Sequence, residues 1–212
     1  MKKKTVLITA GPTREYIDPV RYISNGSSGK MGYTLAEEAD RMGMDVILVS
    51  GPTNLVPSRD IKFIRVSSAK EMLTAAKKYF PKCDIFISCA AVSDYRPAKY
   101  SLEKIKKNGS PLNLKLLPNP DILLSLVKSF KQFRSRPKFI VGFALETENL
   151  IANALAKMKN KRMDMIVANN PDSIGSVRTS CALITKEKIM RFQNIPKIRL
   201  AKIILSETII SL

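Results

Sequence analysis

Histidine is absent from this chain of 212 residues. That removes imidazole general bases, Ser-His-Asp and Cys-His nucleophile systems, and histidine-ligated zinc. Any reaction run here must rest on orientation, charge and backbone donors. Cysteine is scarce too: Cys83, Cys89 and Cys181 are odd in number and lack metal-ligand spacing. That usage points to a reducing compartment and a cytoplasmic protein. No apolar run approaches the roughly 18 residues of a membrane helix. The apolar stretch after the lysines of MKKKTVLITAGPT covers only about five residues, too short for a signal-peptide core. Nothing here is expected to engage a membrane.

What is present fits a globular protein. Hydrophobic residues make up 45% of the chain, too many for disorder, and the length suits one domain, residues 1–212, with a single sizeable core. The formal net charge is +18. Lysines are scattered from Lys2 to Lys202 without a dominant run, and aromatics are only 7%. Solvated lysine-rich faces explain this first. Steering of polyanionic substrates comes second and a nucleic-acid surface last.

Segments rich in β-branched residues alternate with helical periodicity, which predicts an α/β fold, a Rossmann-like, doubly wound, mostly parallel sheet. Strands are expected at Thr5 to Ala10, Asp45 to Ser50, Lys62 to Ser67, Ile85 to Ala91, Lys138 to Phe143 and Asp164 to Ala168. A glycine- and serine-rich loop runs to about Ser28. The helix after it carries Met31, Leu35, Ala39 and Met42 on one face and stops at Gly43. Further helices are expected at Ala69 to Phe80, from Asn119-Pro120-Asp121 to about Phe130, at Leu150 to Met163 and at Ile198 to Ile210. Cys181 to Thr185 and Ile189 to Phe192 read as a closing hairpin. The segment 97–118 alternates around Asn108-Gly109 and reads as a β-hairpin flap projecting from the sheet.

The first strand ends in Thr9-Ala10-Gly11-Pro12-Thr13, and its helix starts near Ser27-Ser28-Gly29-Lys30-Met31-Gly32. A glycine-rich turn feeding a helix N-terminus presents free N–H groups and a positive dipole end to phosphate. Gly11, Gly26, Gly29 and Gly32 do not make G-x-G-x-x-G, and no G-x-x-x-x-G-K-[ST] occurs. Ser50 ends the second strand where a dinucleotide enzyme places an acidic residue. These residues alone leave two readings open, an anionic ligand at a switch point or a long capping loop.

The block ITAGPTREYIDPVRYISNGSSGKMG resembles bacterial phosphopantothenoylcysteine synthetases. Further matching blocks follow in order: Ser50-Gly51-Pro52, Ala90 to Arg96, Glu103 to Lys107, Asn119 to Ile122, Gly142 to Thr147 and Ile166 to Asn169. The resemblance spans about residues 5 to 185. Two departures are Leu145, where the family has a small residue, expected to tighten the pocket behind Phe143, and Asn170, where an aspartate cap is usual.

The resemblance implies a ligase that uses CTP, with Mg2+, to activate the carboxylate of 4′-phosphopantothenate as an acyl-cytidylate, from which the amine of cysteine displaces CMP. Neither step needs a protein nucleophile, so the chemistry agrees with a chain free of histidine. It implies a homodimer whose flap covers the neighbouring subunit's site, and a phosphopantothenoylcysteine decarboxylase as a separate or fused partner. By the same match Lys104 reaches the α-phosphate, Asn25 holds the acyl group and Arg21 takes the substrate phosphate. Ser27, Ser28, Gly29 and Lys30 face phosphate. The backbone of Ala90, Ala91 and Val92 supports the nucleotide, and Asp94 contacts its ribose. Asn119, Pro120, Asp121 and Ile122 face the triphosphate or ribose, Phe143 lies against the pyrimidine, and Lys157 and Lys161 meet the nucleotide. No protein carboxylate cluster for a metal is evident. Taken by residue type alone, Lys104 reads as a solvated lysine, Asn25 as a turn residue, Asn119 as a helix cap and Cys89 as core. The alternative function is a basic Rossmann-like nucleotide- or nucleic-acid-binding protein.

Overall fold

The computed structural model describes residues 3–129 and 137–212. Strand β1 (Thr5–Ala10) is buried on both faces, as an unbroken apolar run requires of a strand with helices above and below it. The stretch behind it is not plain loop: it folds into a small hairpin, β2 (Arg14–Tyr16) and β3 (Tyr22–Ser24), with Tyr16 edge-on to Tyr22 at 5.4 Å. Helix α1 (Lys30–Arg41) turns Leu35, Ala36 and Ala39 inward, and Gly43 ends it as expected. Strands β4 (Asp45–Ser50) and β5 (Lys62–Arg65) follow, β5 two residues shorter than predicted.

Helix α2 (Ala69–Tyr79) opens with a capping box: Ser68 Oγ accepts the Glu71 N–H at 3.2 Å, and Glu71 reaches back to the Ser67 N–H at 2.9 Å. A 3₁₀ turn, Phe80–Lys82, leads into β6 (Ile85–Ser88). The predicted strand to Ala91 stops earlier as a regular ladder. Its pairing nevertheless continues irregularly, through Cys89 N to Thr9 O (3.1 Å) and Ala91 N to Gly11 O (2.9 Å). Pro12, opposite Ala91, has no N–H to extend the ladder.

The expected flap ladder is mostly absent. Only β7 (Tyr95–Pro97) and β8 (Leu116–Pro118) pair, closed by Ala98 N to Lys115 O at 2.8 Å. The turn itself is present, with Gly109 at φ 83 and the Ser110 N–H donated to Asn108 Oδ1. Leu112, Leu114 and Leu116 remain exposed. A two-stranded ribbon with no face to bury does not hold a ladder.

Helix α3 (Ile122–Ser129) starts three residues after Asn119, and its predicted end at Phe130 lies outside the described residues. Strand β9 (Phe139–Leu145) precedes α4 (Leu150–Asn160), which ends before the predicted Met163 because Arg162 takes the left-handed conformation, φ 52. Strand β10 (Met165–Asn169), a 3₁₀ turn Pro171–Ser173, strands β11 (Arg178–Thr185) and β12 (Ile189–Pro196), and α5 (Lys197–Ile210) complete the chain.

Eight strands form one sheet in the order β12-β11-β10-β9-β6-β1-β4-β5. β5, β4, β1, β6, β9 and β10 are mutually parallel, and β11 pairs antiparallel with both β10 and β12. The mostly parallel, Rossmann-like sheet is as predicted. One core layer joins Ile8, Leu48, Ile87 and Val141 to α1 and α5; the other joins Leu7, Val49, Phe86 and Ile140 to α2, α3 and α4. Strand order reverses between β1 and β6, so the chains leaving their C-terminal ends diverge and open a crevice there. Among the described residues no helix is long and apolar enough to cross a membrane.

Candidate functional site

The crevice is a cleft of about 500 Å³ at the C-terminal ends of β1, β6, β9 and β10. One wall is the start of α1. Its N-cap, Gly29, sits at φ 76, where a side chain would also meet Thr53 and Gly11. Ser27 Oγ accepts the Gly29 N–H (3.2 Å) and Ser28 Oγ the Lys30 N–H (3.5 Å), while the first-turn amides of Lys30, Met31 and Gly32 line the cleft. The other wall is the chain leaving β6, Cys89 to Val92 and Asp94, with Phe143 from β9 and Lys157 from α4.

A second recess of about 200 Å³ holds Asn119, Pro120, Asp121, Ile122 and Lys161. It shares Ala90, Val92, Asp94, Phe143 and Lys157 with the main cleft, so the two are continuous. The structure thus gathers Asn25, Ser27, Ser28, Gly29, Lys30, Ala90, Ala91, Val92, Asp94, Phe143, Lys157 and Lys161 around one space.

Several of these side chains are already engaged. Asn25 Nδ2 donates to Ala91 O (3.2 Å) and Val92 O (2.9 Å), so its Oδ1 is the atom left for a ligand. Asn119 donates through Nδ2 to Ser93 O at 2.9 Å and through its backbone to Asp94 O at 2.7 Å, which makes it a brace for the Ser93–Asp94 turn. The helix cap is Asp121, whose Oδ1 accepts the Leu124 N–H at 2.9 Å, and its Oδ2 pairs with Lys161 at 2.5 Å. Ile122 is a core residue, 5% exposed.

Burial pushes the Lys157 pKa down, and Lys161 adds to this, against the opposing carboxylates of Glu146, Asp121 and Asp94. Lys157 lies within α4, whereas Lys161 is the residue just past its last turn. Burial raises the Cys89 thiol to about 12, which removes it as a nucleophile at neutral pH.

Arg21 and Lys104 are not brought into the cleft of their own chain. Arg21 pairs with Asp18 at 2.9 Å and donates to Ile105 O. Its guanidinium is engaged in holding the flap. Lys104, next to Ile105, is exposed. Leu145 is 49% exposed on the cleft's rim and does not wedge behind Phe143. Asn170 caps the Pro171–Ser173 turn without a side-chain hydrogen bond, so the aspartate-type cap is indeed missing.

The cleft is also lined by Ser173, Ile174, Gly175, Thr179, Lys197 and Leu200, which no sequence motif marks as site residues. Lys197 carried a usable signal. It sits directly after Pro196 in the first turn of an apolar helix, where a cation opposes the macrodipole and so calls for another reason to be there.

Comparison with known proteins places the sequence and the fold in a family. The model of the DNA/pantothenate metabolism flavoprotein C-terminal domain matches residues 1–211. The coenzyme A biosynthesis bifunctional protein CoaBC of Haemophilus influenzae is 47% identical over 165 residues, 78% of this chain and 40% of that protein. CoaBC of Borreliella burgdorferi is 39% identical over 207 residues, 97% of this chain and 52% of that protein. The chain therefore spans about half or less of these relatives' length. The crystal structure of a CoaBC C-terminal domain superposes with TM-score 0.81 at 35% identity, over 99% of this chain and 96% of that one.

Proposed function

We propose, from the premise that the chain belongs to the DNA/pantothenate metabolism flavoprotein C-terminal domain family, that it joins 4′-phosphopantothenate to cysteine with CTP. The carboxylate attacks the α-phosphate, pyrophosphate leaves, and the cysteine amine displaces CMP from the acyl-cytidylate. The supporting observation is the cleft at the β1/β6 switch point. It sets the start of α1 across from Asp94 and Phe143, with Lys157 and Lys161 beside them.

In this reading Phe143 stacks on the pyrimidine, and Asp94, which makes no side-chain hydrogen bond or ion pair among the described residues, accepts from the ribose hydroxyls. The α1 amides and the lysines take phosphate charge. Asn25, fixed by two backbone carbonyls, presents Oδ1 to the incoming amine and so orients it toward the acyl carbonyl. Lys104 supplies charge at the α-phosphate from the flap, reaching the cleft of a second copy in a homodimer. Arg21, paired with Asp18 and bonded to Ile105 O, holds that flap in place.

Among the described residues no three acidic or thiol groups converge on a cation position, and Asp121 is committed to its cap and to Lys161. Magnesium would come with the triphosphate, whose own oxygens would hold it, and would supply charge neutralisation there. The decarboxylase partner is, in this reading, a fused domain as in the CoaBC relatives or a separate chain.

The test is to supply 4′-phosphopantothenate, cysteine and each nucleoside triphosphate, then measure pyrophosphate and the amide product by mass. CTP should be the preferred nucleotide. Equal turnover with ATP would overturn the nucleotide choice alone. No amide with any nucleotide, together with steeply salt-dependent binding to duplex DNA, would favour the nucleic-acid reading.

A further inference from the structure

The cleft has two cationic ends, and at the second the ligase reading assigns Lys30 to phosphate but gives its neighbour Lys197 no role. Lys161, at the Phe143 end, has a carboxylate partner in Asp121. At the opposite end Lys197 is 9% exposed and donates through Nζ to Ser173 O at 2.9 Å. Lys30 donates to Gly175 O, two residues further on, at 2.7 Å. Each ammonium has three donors, and these carbonyls take one from each.

No counter-charge accompanies them. Among the described residues neither lysine has an ion-pair partner. The titratable groups that act on Lys197 are Cys89, whose thiol is neutral at about 12, and Lys30 itself. Lys197 also sits at the positive end of α5. A buried cation without a counter-charge is a place that suits an anionic ligand.

We propose that Lys197 and Lys30 form a phosphate subsite separate from the Lys157–Lys161 end. The proposal rests on the ligase reading, in which two phosphate-bearing molecules, a nucleoside triphosphate and a phosphorylated acid, share one cleft. Each basic end then serves one phosphate group.

The experiment uses inorganic pyrophosphate as a probe, followed by CTP and 4′-phosphopantothenate separately, with affinities read by calorimetry and no turnover required. Lys197→Met keeps the length and apolar stem, and its urea unfolding transition checks the fold. It should weaken pyrophosphate about tenfold or more, the scale of one charge-assisted contact. Lys197→Arg should recover part of that. Whichever substrate loses affinity with pyrophosphate is the occupant of this end. Should Lys197→Met not fold, Lys30→Met, at a half-buried position, should weaken the same ligand several-fold. Wild-type affinity for all three ligands in a folded Lys197→Met, or in Lys30→Met, overturns the proposal, as does a wild-type protein that binds no pyrophosphate. A wild type that binds pyrophosphate but makes no amide would sink the ligase reading and leave the subsite standing.

Discussion

The cleft floor and the flap beside it are held by different kinds of interaction. The floor is backbone against backbone: Ala91 N bonds Gly11 O, Gly51 N bonds Ala10 O at 3.0 Å, and a Cβ on Gly51 would fall 1.8 Å from Pro12 O. The flap hangs on three ladder rungs and one buried carboxylate. Asp18 is 0% exposed; its Oδ1 accepts the N–H groups of Val20 and Arg21, and its Oδ2 accepts that of Ile105 (3.2 Å) and pairs with Arg21. Cohesion therefore resides in the floor, while the placement of Lys104 depends on a few contacts: the Asp18–Arg21 pair, both of whose side chains bond Ile105, and the Ser101 N–H donated to Ile17 O at 2.9 Å. One region can be loosened without melting the other.

The largest expected effect divides the two regions by half-reaction. Lys104→Gln, on the flap, should stop pyrophosphate release even with cysteine present. Asn25→Asp, on the floor, should impair the second step instead. A carboxylate facing the carbonyls of Ala91 and Val92 is repelled by both, and it adds negative charge beside an anionic acyl-cytidylate. Quenched mixtures of that variant should contain acyl-cytidylate that the wild type consumes. Each change should cost about 3 to 4 kcal/mol in barrier, the scale of one transition-state donor. If both variants stall at the same step, the division between flap and floor is wrong.

Next in size is Gly51→Ala. The new methyl meets backbone that cannot move without breaking the β1/β6 contacts, so unfolding free energy should drop by about 3 kcal/mol, the upper range of overpacking. Urea denaturation measures it. A loss below about 0.5 kcal/mol, the scale of an ordinary surface substitution, would mean the floor is softer than its contacts imply.

The same contrast explains what the sequence could convey. Floor elements announce themselves locally: Val6–Ile8, Val46–Val49 and Phe139–Leu145 are continuous apolar runs, and α1 has its period written in Leu35 and Ala39. The flap's alternation was equally visible, but alternation only states which side chains share a face, and here no surface lies beneath them to bury. Arg21 shows a second limit. A guanidinium in Asp-Pro-Val-Arg needs an anion, yet residue type does not say whether that anion is a ligand phosphate or Asp18 three positions earlier. Lys197 is invisible to the pattern because the apolar period of the last helix begins one residue later, at Ile198.

A smaller and more local effect comes from Asp18. Burial pushes its pKa up, but the amides of Val20, Arg21 and Ile105, with Arg21's charge, outweigh that and leave it below the usual carboxylate value. A depressed folded-state pKa means the carboxylate's contribution is fully present above the unfolded value of about 3.9. It is lost only as pH falls through the lower folded value. Wild-type flap protection against proteolysis should thus be flat from pH 5 to 8, roughly the range in which carboxylates stay ionised, and fail only in strong acid. Asp18→Asn has one acceptor oxygen in place of two, so its 99–114 segment should be cut several-fold faster at neutral pH while the sheet survives. Cleavage unchanged from wild type would place the flap's attachment elsewhere.

The smallest effect should come from a charge on the floor. Asp121 pairs with Lys161, their side chains 35% and 25% exposed, and its other oxygen caps α3. Asp121→Asn keeps the cap, since the two residues are near-equal in that role, and removes only the pair. A screened pair of this exposure is worth about 0.5 kcal/mol, so urea unfolding should barely change. For the ligand the sign reverses. Asp121 is one of the carboxylates that keep the Lys157 pKa from falling further, yet it also repels a triphosphate and occupies Lys161. Freeing Lys161 outweighs the lost support at Lys157, because Lys161 is the cation in direct contact with Asp121. CTP affinity should therefore hold or tighten by up to about threefold at low ionic strength, a gain that vanishes near 0.5 M salt, where screening lengths are roughly 4 to 5 Å. Destabilisation beyond about 1 kcal/mol, above the usual range for an exposed pair, would show that charge, and not close backbone packing, secures this part of the floor. A tenfold loss of CTP affinity would instead make Asp121 a direct nucleotide contact.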